Sequence, residues 1–358
     1  MIRIKSALLF VLQSIVVGLA VAFLVVLIRP DLLPGIGTGN GAPSSYAGAV
    51  AASAPAVANV YTKRLVEAPA YSDERTRFRV ESSFGSAVLI DPEGHLVTNY
   101  HVVAQAAEIR VQLADGRVAV PELVGVDAET DLALLKVDLG AVPAIRLGSS
   151  TQLRIGDVVL AIGNPYGFSK SVTQGIVSGT GRYVPGNLTT FQDYIQTDAA
   201  INSGNSGGAL INTAGELVGI NTAILAQDAN TEGISFAIPV DLMRGVTDEI
   251  KQHGRVIRGW MGLEPDDLTP AERDAFGLEN NVGILLSDIY EGGPADVAGL
   301  RAGDVIIEIA GQRIYSQRQA LLLVTAAKPG DEIELVGIRD GVEFRATIIA
   351  AERPGAPD

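Results

Sequence analysis

The hydrophobic and polar positions divide the chain into stretches with different periods. Ala7 to Ile28 is an apolar run interrupted only by Gln13, Ser14 and Gly18, long enough as a helix to cross roughly 30 Å of hydrocarbon. Pro34 to Pro43 is dominated by glycine and has the composition of a flexible linker. From there to about residue 240, short β-favouring segments alternate with Gly, Pro, Asn and Asp, the pattern that two antiparallel β-barrels require. Pro239 and Asp241 then open a helix in which Leu242, Val246 and Ile250 repeat at i, i+4 and i+8, closing the barrel domain. After Arg255 the pattern changes to a module of about one hundred residues, a usual size for an independent domain. The expected fold class is mainly β. The expected divisions are an N-terminal segment 1–6, an apolar helix 7–28, a linker 29–44, a double-barrel domain 45–255 and a C-terminal domain 256–354.

Charge and composition place the chain. Arg3 and Lys5 precede the apolar run and favour a cytoplasmic N-terminus, although Arg29 on the far side weakens the asymmetry. Ala20-Val21-Ala22 imitates a signal cleavage site, yet Phe23 to Ile28 stays apolar where a cleaved signal would become polar. A retained anchor in the inner membrane is therefore expected rather than a signal peptide. For a bacterial chain this puts everything beyond Arg29 in the periplasm. The absence of cysteine among 358 residues is compatible with that compartment, since a chain of this length buries ordinary cores without disulfides. A formal charge of −14 argues against a general nucleic-acid binder. No Lys-Ser or Lys-Thr follows the glycine-rich linker and no strand precedes it, which removes a phosphate-cradling loop. No metal-ligand cluster or cofactor fingerprint is evident.

Candidate chemistry centres on Gly204-Asn205-Ser206-Gly207-Gly208. A serine hydroxyl attacks a carbonyl only when an imidazole takes its proton and a carboxylate fixes the imidazole tautomer. Of the three histidines, His95 lies in a turn and reads as a solvated loop residue, and His253 beside Gly254 reads as a charge at a helix C-terminus. His101, after the β-favouring Leu96-Val97-Thr98-Asn99, is the candidate base. Asp131, directly before Leu132-Ala133-Leu134-Leu135, is the candidate acid, and the chain order His, Asp, Ser is that of two-barrel serine proteases. The triad would sit between the barrels, with His101 and Asp131 on the first and Ser206 on the second. The N–H groups of Gly204 and Ser206 would form the oxyanion hole.

These residues resemble the HtrA family of bacterial serine proteases from Ser45 to about Arg353. The likeness includes Thr98-Asn99-Tyr100-His101-Val102-Val103, Thr130-Asp131-Leu132-Ala133-Leu134-Leu135-Lys136-Val137, Gly163-Asn164-Pro165, Gln196 to Leu210 and Gly233 to Pro239. Gly85-Ser86-Ala87 departs from the family pattern where a second glycine is more usual, a change expected not to touch the triad. Gly293 to Ile306 resembles the PDZ domains appended to these proteases. The resemblance implies that Trp260-Met261-Gly262-Leu263 is the carboxylate-binding loop and that Tyr315 to Ala327 supplies the helix flanking a peptide groove. Taken by themselves, Trp260, Met261 and Leu263 read better as core at a domain start. The resemblance also implies an activation relay of Arg182, Tyr166 and Gln196, and assembly as a homotrimer near Tyr46.

One PDZ module and a short segment between Thr62 and Glu81 resemble the membrane-anchored, DegS-like branch. That branch implies a stress-response protease, activated by C-terminal peptides of misfolded outer-membrane proteins, that makes the first (site-1) cut in the periplasmic segment of a membrane-bound anti-sigma factor. A small aliphatic residue is implied at the cut. Two alternatives stay open, a broad periplasmic quality-control protease or chaperone and a PDZ peptide-binding scaffold.

Overall fold

The computed structural model describes residues 13–21, 23–25, 45–68, 77–163, 171–184, 192–202, 204–222, 233–278 and 282–352. By backbone contacts the chain divides into Met1–Gly48 and Ala49–Asp358. In the first unit, residues 13–21 and 23–25 are helical and expose their apolar side chains, Leu19 and Phe23 among them. No helix among the described residues is long and apolar enough to cross a membrane; the rest of 7–28 and the linker 29–44 lie outside them.

The second unit begins its β-structure with β1 (Val57–Ala68), β2 (Arg77–Leu89), β3 (His95–Asn99), β4 (Glu108–Gln112), β5 (Val118–Ala119), β6 (Glu122–Asp127) and β7 (Leu132–Lys136). They pair antiparallel in the order β5-β4-β1-β2-β3-β7-β6. No ladder joins β5 to β6 among the described residues, so hydrogen bonding makes this half a seven-stranded sheet rather than the closed ring expected. β5 has only two residues and offers few groups to close one. β7 is a nearly continuous apolar run because both its faces are covered, and β3 beside it is buried from Leu96 to Asn99, with Leu96, Val97, Leu134 and Leu135 fully buried.

β8 (Val158–Gly163), β9 (Ser171–Arg182), β10 (Tyr194–Thr197), β11 (Ala209–Asn212), β12 (Leu217–Thr222) and β13 (Ser235–Pro239) form a closed barrel in the order β10-β13-β12-β11-β8-β9. Its interior is built from small and branched side chains such as Val159, Ala161, Val177, Ile195, Leu210 and Ala237. The helix Val240–His253 follows and ends at Gly254, whose φ of 72° provides the left-handed cap. It buries Val240, Met243, Val246, Thr247 and Ile250, while Leu242 is only half-buried. The predicted stripe is thus rotated, because two successive steps of four drift around the helix whereas 243, 246 and 250 stay on one face.

The C-terminal part contains β14 (Gly259–Trp260), β15 (Leu263–Asp267), β16 (Ile284–Ile289), β17 (Val305–Ile309), β18 (Gln312–Arg313), β19 (Glu332–Arg339), β20 (Val342–Ile349) and β21 (Ala351–Glu352). The main sheet runs β15-β16-β17-β19-β20, which leaves β15 at an edge. The helix Gln317–Ala326, inside the expected 315–327, is capped by Ser316 and contributes Ala320 and Val324 to the core. Met261, Leu286, Ile306 and Leu335 complete that core around it.

Candidate active site

The β3–β7 ladder ends with Asn99 opposite Leu132. Antiparallel strands paired to that point deliver the residue just after one and the residue just before the other side by side. His101 and Asp131 are brought together in this way. His101 Nδ1 lies 2.7 Å from Asp131 Oδ2, and the His101 backbone N–H donates to Asp131 Oδ1 at 2.9 Å. Nδ1–H donates to the carboxylate, so Nε2 is the basic nitrogen. Asp131 has φ of 58°, an uncommon conformation for a residue with a side chain but one that aspartate tolerates better than most. Its carbonyl accepts from Tyr100 N at 3.0 Å and from Asn99 Nδ2 at 3.1 Å. Thr222 of β12 adds a hydroxyl 3.3 Å from Oδ2. The turn is therefore over-determined by its neighbours, which is how strain of this kind persists at functional sites.

Ser206 lies between β10 and β11 and is 5 % exposed. Three N–H groups of its loop are used internally or on β12: Asn205 donates to Asn202, Gly208 to Asn205 and Gly207 to Asn221, each at 2.9 Å. The loop is clamped to the first sheet through Ser86. The Ser86 N–H donates to the Ser206 carbonyl and its hydroxyl to the Gly204 carbonyl, both at 2.8 Å, while Thr98 Oγ1 donates to the Ser86 carbonyl at 2.7 Å. Gly207 sits so close that an added Cβ would meet Ser86 O at 2.1 Å and Thr98 Oγ1 at 2.3 Å, and its φ is +79°. Gly204 also has positive φ, 99°. The sequence departure therefore lies nearer the site than expected. Ala87 itself is buried in β2, but its neighbour Ser86 holds the serine loop. Ser86 and Thr98 lie inside quoted motifs and Thr222 lies in none, and no role was legible for any of the three, since each acts through a contact distant in sequence.

One other histidine reading changes. His95 is not a solvated loop residue: it is half-buried, and its Nδ1 lies 2.7 Å from Asp91 Oδ2. Burial opposes the charge on Asp91, but hydrogen bonds from Lys251, the His95 N–H and the His95 ring hold its pKa down at about 2. Asp91, Glu93 and His95 bring ligand atoms within 4.8 Å of one another. Lys251 Nζ, 2.7 Å from the same Asp91 oxygen, takes the place a cation would need. His253 is the exposed last residue of its helix, 3.8 Å from Glu249.

Of the relay candidates, Tyr166 lies outside the described residues. Gln196 is half-buried in β10 opposite Gly179 of β9, between two register shifts. Arg182 ends β9, exposed, and its guanidinium folds back over Gly179, where an added Cβ would meet Nε at 2.4 Å. Gly179 thus places Arg182 and Gln196 in one neighbourhood.

Trp260 ends β14, and Met261 and Gly262 join it to Leu263 at the start of the edge strand β15. Met261 is buried, with its carbonyl accepting from Ala295 at 2.8 Å; the Gly262 carbonyl, at φ 70°, accepts from Tyr290 N at 2.9 Å. Trp260 packs edge-on against Tyr290 with centroids 5.4 Å apart. Beside this loop opens a cavity of about 360 Å³, floored by Met261, Leu286 and Ile306 and walled by Leu321 and Val324. Met261 is thus both core and cavity floor.

Residues 85–220 match the family of trypsin-like peptidase domains, and residues 286–338 match the PDZ domain family. The serine endoprotease DegS of Salmonella typhimurium (strain 14028s / SGSC 2262) is 38 % identical over 357 residues, which cover 96 % of this chain and 98 % of that protein. A probable periplasmic serine endoprotease, DegP-like, of Pseudomonas savastanoi pv. phaseolicola is 42 % identical over 278 residues; the match spans 78 % of this chain and 58 % of that longer relative. Among solved structures, the HtrA-type protease AlgW with decapeptide superposes with a TM-score of 0.77 at 46 % identity, covering 87 % of this chain and all of that one. With a trypsin-like peptidase match followed by a PDZ match, and identity to the DegS protease over nearly the whole length of both chains, the chain belongs to the HtrA family of serine endoproteases, in its DegS-like group.

Proposed function

We propose that the protein is a periplasmic serine endopeptidase in which His101, Asp131 and Ser206 form the catalytic triad. The observation that carries this reading is the His101–Asp131 pair beside a serine loop clamped by Ser86. His101 Nε2 takes the Ser206 proton as Oγ attacks the scissile carbonyl, Asp131 steadies the imidazolium, and His101 returns the proton to the leaving amine. Water then releases the acyl-enzyme by the same route. The N–H groups of Gly204 and Ser206 receive the oxyanion. Losing one such donor costs roughly 10²–10³ in turnover, so a small loop rearrangement switches the enzyme without moving the triad.

The PDZ part supplies that switch in this reading. Exposed C-termini of misfolded outer-membrane proteins bind at Trp260, Met261, Gly262 and Leu263, and Arg182, Tyr166 and Gln196 relay occupancy to the oxyanion hole. The substrate is the periplasmic segment of a membrane-bound anti-sigma factor, cut first at this step. Residues 7–28 anchor the chain in the inner membrane with the N-terminus cytoplasmic, and the working form is a homotrimer. A helix whose apolar side chains are exposed on every described position supports the anchor, because water is a poor solvent for it. A second reading, general degradation of unfolded periplasmic proteins, is favoured by the 42 % identity to a DegP-like relative.

The deciding experiment is cleavage of an anti-sigma-factor periplasmic segment with and without peptides ending in apolar residues, using Ser206→Ala as control. One or two peptide-dependent cuts, absent in the control, support the sensor protease. Peptide-independent degradation of many unfolded proteins moves the reading to quality control. Cleavage that survives Ser206→Ala refutes the triad.

A further inference from the structure

We propose that the PDZ groove selects for positive charge just upstream of an apolar C-terminus. This rests on the reading of the groove as a C-terminal peptide site. Its floor and helix wall are apolar, but its open edge is acidic: Glu264 and Asp266 of β15 and Glu129 from the turn before β7 all line the cavity. Glu264 and Asp266 are exposed, and neither makes an ion pair among the described residues. The Tyr290 hydroxyl, 3.4 Å from Glu264 Oε1, is a neutral partner and leaves the charge in place. Among the described lining residues the cation is Arg258, and its guanidinium is committed to Asp127 at 2.8 Å and Glu129 at 3.2 Å. Arg318 on the helix wall turns away, to the Gly181 carbonyl and Asp193.

A peptide added to β15 runs antiparallel to it, with its last residue beside Met261 and earlier residues passing toward Asp267. Side chains of a strand alternate faces. The last residue and the one two before it share the cavity face with Leu263 and Pro265. The residues one and three before the end share the exposed face with Glu264 and Asp266, where opposite charges attract and like charges repel. Pro265 has no N–H, so the backbone ladder is short at this point and side-chain pairs carry more of the discrimination.

The test is binding of fluorescent decapeptides to the full-length protein in detergent micelles. All end in leucine with a free carboxylate and carry Lys, Ala or Glu at the positions one and three before the end. The lysine peptide is expected to bind roughly tenfold more tightly than the glutamate peptide at low salt, with the gap falling to about twofold or less in half-molar salt. The Glu264→Gln, Asp266→Asn double variant is expected to close the same gap while retaining the alanine peptide. Equal affinity for all three peptides overturns the charge selection and leaves the groove reading standing. Failure of every free-carboxylate peptide to bind, or equal binding of C-terminally amidated ones, overturns the groove reading itself.

Discussion

Ser86 illustrates how a side chain outside the proposed triad holds the loop that carries it. Its hydroxyl donates to the Gly204 carbonyl, fixing the peptide plane next to the proposed oxyanion hole, and the Thr98 hydroxyl holds Ser86 in turn. Ser86→Ala removes one buried hydrogen bond, expected to cost about 1 kcal/mol of stability and to lower kcat roughly tenfold with little change in KM, since the lost restraint bears on the oxyanion. Steady-state kinetics and a thermal melt check both; an unchanged kcat shows that the loop holds its shape without Ser86. Asp131→Asn, which offers an amide where the imidazole needs an acceptor, is expected to lower kcat about 10⁴-fold at neutral pH. Asp91 makes a different prediction. Hydrogen bonds from Lys251 and His95 outweigh burial and hold its folded pKa at about 2, below the ordinary 3.8. A depressed carboxylate pKa stabilises the fold above the unfolded value and loses that contribution as pH falls through the folded one. Melts of Asp91→Asn and the parent should differ by about 1–2 kcal/mol near pH 6, allowing for solvent screening, and converge between pH 4 and 2. A constant difference over that range contradicts the assignment.

At the scale of elements, legibility depended on whether a signal was local. The proposed triad positions stood out because three chemically demanding residues occur in a set order, and Gly207 beside Ser206 marks backbone that approaches its neighbours closely. The β-rich class followed from turn punctuation. What the sequence did not show was long-range pairing. Nothing local indicates that β3 and β7 end in register at Asn99 and Leu132, that Thr222 reaches Asp131, or that no ladder joins β5 to β6 among the described residues. The helix Val240–His253 was located correctly but its buried face was not, because the face is chosen by what it packs on. It packs on β6 at Gly125, where an added Cβ would meet Gly254 O at 2.5 Å and Ile250 Cγ2 at 2.7 Å. A backbone oxygen cannot rotate away. Gly125→Ala is therefore expected to destabilise the fold by about 1–3 kcal/mol, read as a lowered urea midpoint at unchanged slope.

For the whole molecule, the double-barrel domain and the PDZ part fall in one compact unit, and among the described residues Arg255, Arg258, Arg318 and Lys328 each make an ion pair between them. They are not equal. Lys328–Glu249 at 3.5 Å has a largely exposed lysine, and Arg318–Asp193 at 2.7 Å is also open to solvent; such pairs contribute about 0–1 kcal/mol each. Arg258 differs because its guanidinium grips both Asp127 oxygens, at 2.8 and 2.5 Å, and Asp127 is 5 % exposed. Asp127 also accepts from Thr130, so the same carboxylate organises the turn that ends at Asp131. Removing the arginine leaves a buried carboxylate without its ionic partner, a lesion that costs about 3–5 kcal/mol in comparable settings. Arg258→Ala is thus expected to lower the melting temperature and to open residues 254–258 to limited proteolysis, separating a PDZ fragment from the barrels. Arg258→Lys keeps the charge but loses the fork, and should fall between the two. Arg318→Ala, losing mainly a solvated pair, should leave that segment protected. If instead Arg318→Ala opens it and Arg258→Ala does not, the docking is held at the β9 end, and the turn carrying Asp131 is positioned by the first sheet alone.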